Sequence, residues 1–336
     1  MKKSVLSVAV AASLSAAIFS GIADACTYAT FDSQSGNSFT ARSMEWPGEI
    51  GAQLVVVPRD HQEESYVVKY GYTGITHHGF VSSGMNEHGL SIETLALGEF
   101  NALPKGEGDM SQGAITGYVL ANAKTVDEAV ALLRQVKVET HAYDIVGGLE
   151  LGIHLALHDG ERRVVVEWLD GSGYPEVFEN ELGVMTNDPN YPAQEGLAKM
   201  MLDGDLETGK ARFSEETFIA TDYSPIGRFQ KMVGFNYTQD LSQAKTDLDG
   251  VNRAWNMINA VDIPQGALYW RFAADVPQFT SYATVTDIDN KAYYFRTYDN
   301  MDIRKVDVGE IDFSKVKYQV KEIFGTVEDY RPIKLN

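Results

Sequence analysis

The 336-residue chain contains a single cysteine, Cys26, and its position gives it a chemistry. It follows Met1-Lys2-Lys3, an apolar run from Val5 to about Phe19, and Ala23-Asp24-Ala25. A basic start, an apolar stretch and a small-x-small triplet make a secretory signal over residues 1–25, with cleavage after Ala25. Cutting there makes Cys26 the first residue of the processed chain. A thiol and a free α-amine then share one residue. Thiolate is the reactive form of cysteine. An α-amine titrates near ~8, so part of it is neutral at pH 7 and can take the thiol proton. Nucleophile and general base come together, which suits acyl transfer through a covalent intermediate. Two other readings of Cys26 stand beside this one: a residue without a role, or a lipidated first residue. Lipoprotein signals carry Leu at −3 and a small residue at −2; here those positions are Ala23 and Asp24, and Asp24 fits poorly.

A cysteine nucleophile needs a cation to favour thiolate and donors for an oxyanion. Arg42 ends the second strand of a hairpin that begins at Cys26, so the returning chain can bring its guanidinium to the sulfur; the alternative is a solvated surface arginine. Glu45 can hold the α-ammonium, or be an exposed carboxylate. Asn187, in Met185-Thr186-Asn187-Asp188-Pro189, can donate its amide to an oxyanion or simply form a turn. Arg228 follows Ser224-Pro225, an N-cap and first-turn signal, and on that pattern alone is a helix-surface residue. Metals are not expected. His77 and His78 are adjacent, hence on opposite faces of a strand, and His154 and His158 lie about 13 Å apart along one. Asp247-Leu248-Asp249-Gly250 and Asp287-Ile288-Asp289-Asn290 lack the remaining ligands of calcium loops and read as turns.

The elements that must position these residues are mostly strands. Thr27–Asp32 and Ser38–Ser43 flank Ser33-Gln34-Ser35-Gly36-Asn37 as a hairpin. Strands are expected at Gln53–Pro58, Ser65–Tyr70, two within Gly79–Leu97, Leu149–Leu157, Arg162–Leu169 and Gly183–Thr186. Thr125-Val126-Asp127-Glu128 opens a helix with a capping box. The region from Ala193 to about Ala260 is mostly helical. A last hairpin, Phe279–Asp287 with Ala292–Tyr298, precedes an edge strand at Ile311–Tyr318. No repeat or linker interrupts residues 26–336, so they read as a single α+β domain with two stacked sheets between helices.

Composition narrows the partners. Hydrophobic residues make up 44% of the chain, enough for a large core. Beyond the signal, no apolar run reaches the ~18 residues that span a bilayer. One cysteine leaves no intrachain disulfide. A net charge of −19 repels nucleic acid and anionic lipid. The partner expected is a small molecule.

Read in order, the motifs resemble the choloylglycine hydrolase family, which comprises bile salt hydrolases and penicillin V acylases. Cys26-Thr27, Arg42-Ser43-Met44-Glu45, Val55-Val56-Val57-Pro58-Arg59, Gly84–Leu90, Thr186–Pro189, Gly227-Arg228-Phe229 and Tyr293 to Tyr298 match its segments, and the resemblance runs to about Asn300. It implies an αββα sandwich of the N-terminal nucleophile hydrolase type, often a homotetramer, with no cofactor. It implies that Cys26 attacks an amide carbonyl, with Arg42 and Arg228 beside the thiolate, Glu45 positioning the α-amine and Asn187 donating to the oxyanion. Three positions depart from the family: Gly227 stands where Ser is usual, Glu45 where Asp is usual, and Ala96 where a polar side chain is usual. Ala96 keeps the backbone N–H, the second implied oxyanion donor, and its lack of a polar side chain disfavours bile salts. Trp46 is either a wall of the acyl pocket or core. The resemblance is to exported, periplasmic penicillin V acylases that also cleave N-acyl homoserine lactones. The competing readings are a bile salt hydrolase and, from another class, a periplasmic lipoprotein or binding protein with a non-catalytic Cys26.

Overall fold

The hairpin that starts at Cys26 is the seed of the first sheet. Thr27–Asp32 (β1) and Ser38–Pro47 (β2) pair antiparallel, with Thr27 opposite Ser43 and Asp32 opposite Ser38. Gly36, at φ +92°, closes the turn, which Ser33 N–H ties by donating to Asn37 O at 2.8 Å. The computed structural model describes residues 26–143, 148–202, 222–237, 240–270 and 273–326. The expected signal segment lies outside them.

The main strands that follow in the chain are Gln53–Val57 (β3), Tyr72–His77 (β4), Phe80–Asn86 (β5), Ser91–Ala96 (β6), Ile153–His158 (β7) and Arg163–Glu167 (β8). Then come Glu176–Glu179 (β9), Val184–Met185 (β10), Leu268–Trp270 (β11), Ala273–Asp287 (β12), Ala292–Thr297 (β13), Asn300–Asp307 (β14) and Gln319–Glu322 (β15). The first sheet runs β10-β1-β2-β12-β13-β14, with β11 on β12. The second runs β9-β8-β7-β6-β5-β4-β3-β15. Gln112–Asn122 (α1) packs on β5 and β6, with Val126–Leu133 (α2) against it. Pro225–Tyr237 (α4) and Asp247–Asn259 (α5) pack on the first sheet, and Tyr191–Met201 (α3) packs on α4. The result is the expected αββα sandwich.

Alternation along the strands separates two kinds of interior. Ile92, Leu155, Leu157, Val164 and Val166 turn outward into an apolar layer with Ile115 and Val119 of α1. The opposite faces of the same strands look at the other sheet and are rich in buried polar groups. Ser82 Oγ meets Tyr282 Oη at 2.8 Å and Ser83 Oγ meets Tyr293 Oη at 2.6 Å, sheet to sheet. His154 Nδ1 and Glu167 Oε1 lie 2.8 Å apart in the same layer. A polar space between sheets is costly unless its groups are partnered, and it is where the site lies.

Several expectations are corrected. Residues 65–70 hold only a bridge between Gln62 and Val67. The strand is β4 instead, where Gly74 sits directly opposite Gly84. Its missing side chain is required, because a Cβ there would lie 2.2 Å from Ser83 O. Residues 311–318 are turn rather than edge strand, and they tuck Phe313 against Gly71. Asp247 to Gly250 is not a turn but the start of α5, where Thr246 and Asp249 form a reciprocal capping box. His77 and His78 do not face opposite ways along a strand. His78 has left it, at φ +50°, and the two rings lie 5.6 Å apart.

Candidate active site

Cys26 lies just before β1, buried to 3% exposure, where the hairpin register brings it beside β2. Its backbone N–H donates to Asn187 Oδ1 at 2.7 Å. Asn187 follows β10, which pairs with β1, so strand order alone brings these distant residues together. Arg228 Nη2 also donates to Asn187 Oδ1, at 3.0 Å. A guanidinium has only donors, so the amide oxygen must face it and Nδ2 must face the other way. Nδ2 donates to Ala96 O at 2.9 Å. Gln194 of α3 donates to the carbonyl of Asn187, fixing the loop from behind.

Arg228 is wholly buried, so the helix-surface alternative is excluded. From α4 it reaches through the first sheet's outer face. Its Nη1 donates to Cys26 O and, at 2.6 Å, to Thr27 Oγ1, while Nε donates to Tyr223 O at 3.0 Å. Arg42 is also wholly buried. Its Nη2 lies 4.0 Å from Cys26 Sγ and 3.4 Å from Met44 Sδ, and donates to Thr94 O at 3.1 Å. Its guanidinium carbon is 5.0 Å from the Tyr282 ring centre. Burial works against the Arg42 charge, but Tyr282, Cys26, Glu93 and Glu45 outweigh it and hold the group more firmly protonated than usual. A cation at this distance from sulfur favours thiolate.

Glu45 lies in β2 and lines the cavity beside Cys26. Its Oε1 accepts from Thr280 Oγ1 at 2.8 Å, at a β-bulge between β2 and β12, while the Cys26 nitrogen is held by Asn187. Oε2 is buried and without a hydrogen-bond partner among the described residues. Burial pushes the Glu45 carboxyl up to about 7, against the pull of Arg228 and Thr280. Trp46 is 8% exposed and lines a cavity beside Cys26. That cavity measures about 50 Å³, and Met44, Phe80, Leu95, Leu151 and Ile153 complete an apolar lining. His77 and His78 border it, with His77 held neutral by burial and by Arg42. Among the described residues no cluster of His, Cys, Asp or Glu is arranged to hold a metal ion.

Such a site can activate a thiol in a dry apolar hollow and steady a carbonyl beside it. Thr280, Tyr282 and Glu93 escape sequence reasoning, since each contacts the site only through strand pairing or sheet stacking. Glu93 does leave a trace, as the one ionisable residue in Ser91-Ile92-Glu93-Thr94-Leu95-Ala96.

The family model for linear amide C-N hydrolases, choloylglycine hydrolase family, matches residues 26–319. A penicillin V acylase of Pectobacterium atrosepticum is 27% identical over 82% of this chain and 78% of its own length. A bile salt hydrolase/transferase of Lactiplantibacillus plantarum is 22% identical over 84% of this chain and 91% of its own. Among solved structures, a mutant conjugated bile acid hydrolase from Clostridium perfringens superposes with a TM-score of 0.75 at 17% identity, over 92% of this chain and 100% of that one. Penicillin V acylase from Agrobacterium tumefaciens gives 0.70 at 23% identity, over 86% and 88%.

Proposed function

The chain belongs to the choloylglycine hydrolase family of linear amide C-N hydrolases, and from that premise we propose that it is an exported, periplasmic amidohydrolase with Cys26 as its N-terminal nucleophile. Its substrates are penicillin V and N-acyl homoserine lactones, each an apolar acyl group on a compact amine. The observation that carries this reading is the Cys26 sulfur at an apolar cavity, 4.0 Å from a buried guanidinium, with its own nitrogen fixed by Asn187.

Once processing frees the α-amine, it takes the thiol proton and the thiolate attacks the amide carbonyl. A C–S bond forms as the carbonyl becomes an oxyanion. Asn187 Nδ2 carries two hydrogens and Ala96 O uses one, so the other is available to that oxygen, alongside the Ala96 N–H. The ammonium returns its proton to the departing nitrogen as the C–N bond breaks. Water, deprotonated by the same amine, then cleaves the thioester and restores the thiol. Arg228 holds the Cys26 carbonyl and Asn187 in register throughout. Glu45 Oε2 is the spare acceptor nearest in role to an α-ammonium anchor.

The cavity beside Cys26 is small as it stands. A hollow of ~150 Å³ admits benzene, and this one is smaller, so an acyl group enters by moving Trp46 or the β4–β5 tip that carries His78 and Phe80. A long acyl chain or a steroid demands more movement than an aryl ring. The homotetramer implied by the family is part of the same reading. The test is a side-by-side assay of penicillin V, long-chain acyl homoserine lactones and glycocholate, with intact mass of the secreted protein. Cleavage of the first two, a mass starting at unmodified Cys26, and loss of roughly 10³-fold or more in Cys26→Ser are expected. Activity retained in Cys26→Ser, or a diacylglyceryl mass, removes the proposal.

A further inference from the structure

Arg42 has a second claimant besides the cysteine. Glu93, on β6 of the opposite sheet, is 1% exposed, and its Oε2 lies 3.8 Å from Arg42 Nε. Its Oε1 accepts from Ser83 Oγ at 2.8 Å, and Ser83 Oγ is bonded in turn to Tyr293 Oη. Arg42 Nε and Nη1 have no hydrogen-bond acceptor among the described residues, and Glu93 Oε2 makes no full hydrogen bond, although Thr284 of β12 is close enough to favour its charge. The guanidinium therefore lies between a carboxylate on one edge and the Cys26 sulfur on the other, with Thr94 O pinning the edge near the sulfur.

We propose that Glu93 is a positioning residue for the nucleophile: from the second sheet it holds the Arg42 guanidinium and competes with the Cys26 sulfur for that one cation. The inference rests on Cys26 being the nucleophile. A single buried cation stabilises either anion, but the ionisation of one raises the proton affinity of the other. The titratable groups around the pair are few. Tyr28 of β1, Tyr282 of β12 and Tyr293 of β13 are all pushed up by burial and stay neutral. His77 of β4 is neutral. Glu45 of β2 is drawn first to Arg228. Burial raises Glu93 to about 8, against Arg42 and Ser83, so it ionises in the range where a thiol does. Wild-type thiolate formation is then spread over a broad span of pH.

Replacing Glu93 by Gln keeps the shape and leaves Arg42 to the sulfur. The rate of Cys26 alkylation by iodoacetamide, followed against pH on the processed enzyme, should then rise in one narrow step. Its midpoint should lie about half a pH unit or more lower, which is about threefold faster labelling at fixed pH on the rising limb. Glu93→Asp should restore the broad wild-type form. Ser83→Ala leaves Glu93 and Arg42 in place but removes a bond to the carboxylate, so it should move the profile the same way by less. This second variant serves if Glu93→Gln does not fold. Wild-type profiles in the variants, or a midpoint moved upward, overturn the role of Glu93 alone. Alkylation that leaves amide hydrolysis intact overturns the nucleophile reading and this inference with it.

Discussion

Asn187 carries more of the site than its place in a turn-forming sequence suggests. Its oxygen accepts from Cys26 N–H and from Arg228, and its nitrogen donates to Ala96 O. Asn187→Ala should therefore lower kcat by about 10²–10³-fold, as loss of one oxyanion donor does elsewhere, with KM for penicillin V nearly unchanged. Asn187→Asp keeps an acceptor for Cys26 and a partner for Arg228 but removes the NH2. It should still label with iodoacetamide, its pH profile moved upward by the added negative charge, yet hydrolyse slowly even where labelling is complete. Steady-state kinetics beside labelling rates check both variants; wild-type turnover in Asn187→Asp rules out the donor role. Sequence spacing makes Arg42 a partner of Cys26, and the hairpin delivers it. Spacing is silent on Glu93, since nothing local tells a strand which residue of another sheet will face it.

At the scale of elements, close approach is governed by what is absent. Gly74 and Gly84 face each other across β4 and β5, and an added methyl at Gly74 meets the Ser83 carbonyl oxygen and the Gly84 Cα. Both neighbours are backbone and cannot swing away. Gly74→Ala should destabilise the fold by about 1–3 kcal/mol, read as a lower urea midpoint with the slope unchanged. Ser83 is the residue that supports Glu93, so the same variant should disturb the labelling profile described above. Helix α1 shows why some elements are illegible. Ile115, Thr116, Val119, Leu120 and Ala121 are all buried between the second sheet and α2, so the segment has no polar stripe to reveal its period. By contrast α2 announces itself through Thr125, whose side chain accepts from the N–H three residues on.

For the whole molecule, two opposed sets of buried groups shape stability against pH. Glu45 and Glu93 are raised in the folded state to about 7 and about 8, from a usual value near ~4.3. Their contribution is complete below ~4.3 and is lost as pH rises through those folded values. His77 and His158 are lowered by burial, His158 to about 4, so theirs is complete above ~6.5 and is lost as pH falls. Stability should therefore peak in mildly acidic solution and decline on both sides. Glu93→Gln should reduce the decline across pH ~4.3 to 8, the span between the unfolded and folded values of that carboxyl, and leave the loss due to the histidines unchanged. Urea midpoints measured from pH 4 to 9 check this; a Glu93→Gln curve parallel to wild type on the alkaline side contradicts it.

The amino-acid order by itself determined the nucleophile candidate, the hairpin that carries it, the layered α+β class and the two candidate arginines, because each is written in short-range signals: a turn, a cap, a motif. Only the folded chain decided that both arginines are buried, that the Cys26 N–H meets Asn187, and that Glu93 Oε2 lies 3.8 Å from Arg42 Nε. Those outcomes depend on which faces of two sheets meet, and strand alternation specifies that a face is buried without specifying what it is buried against.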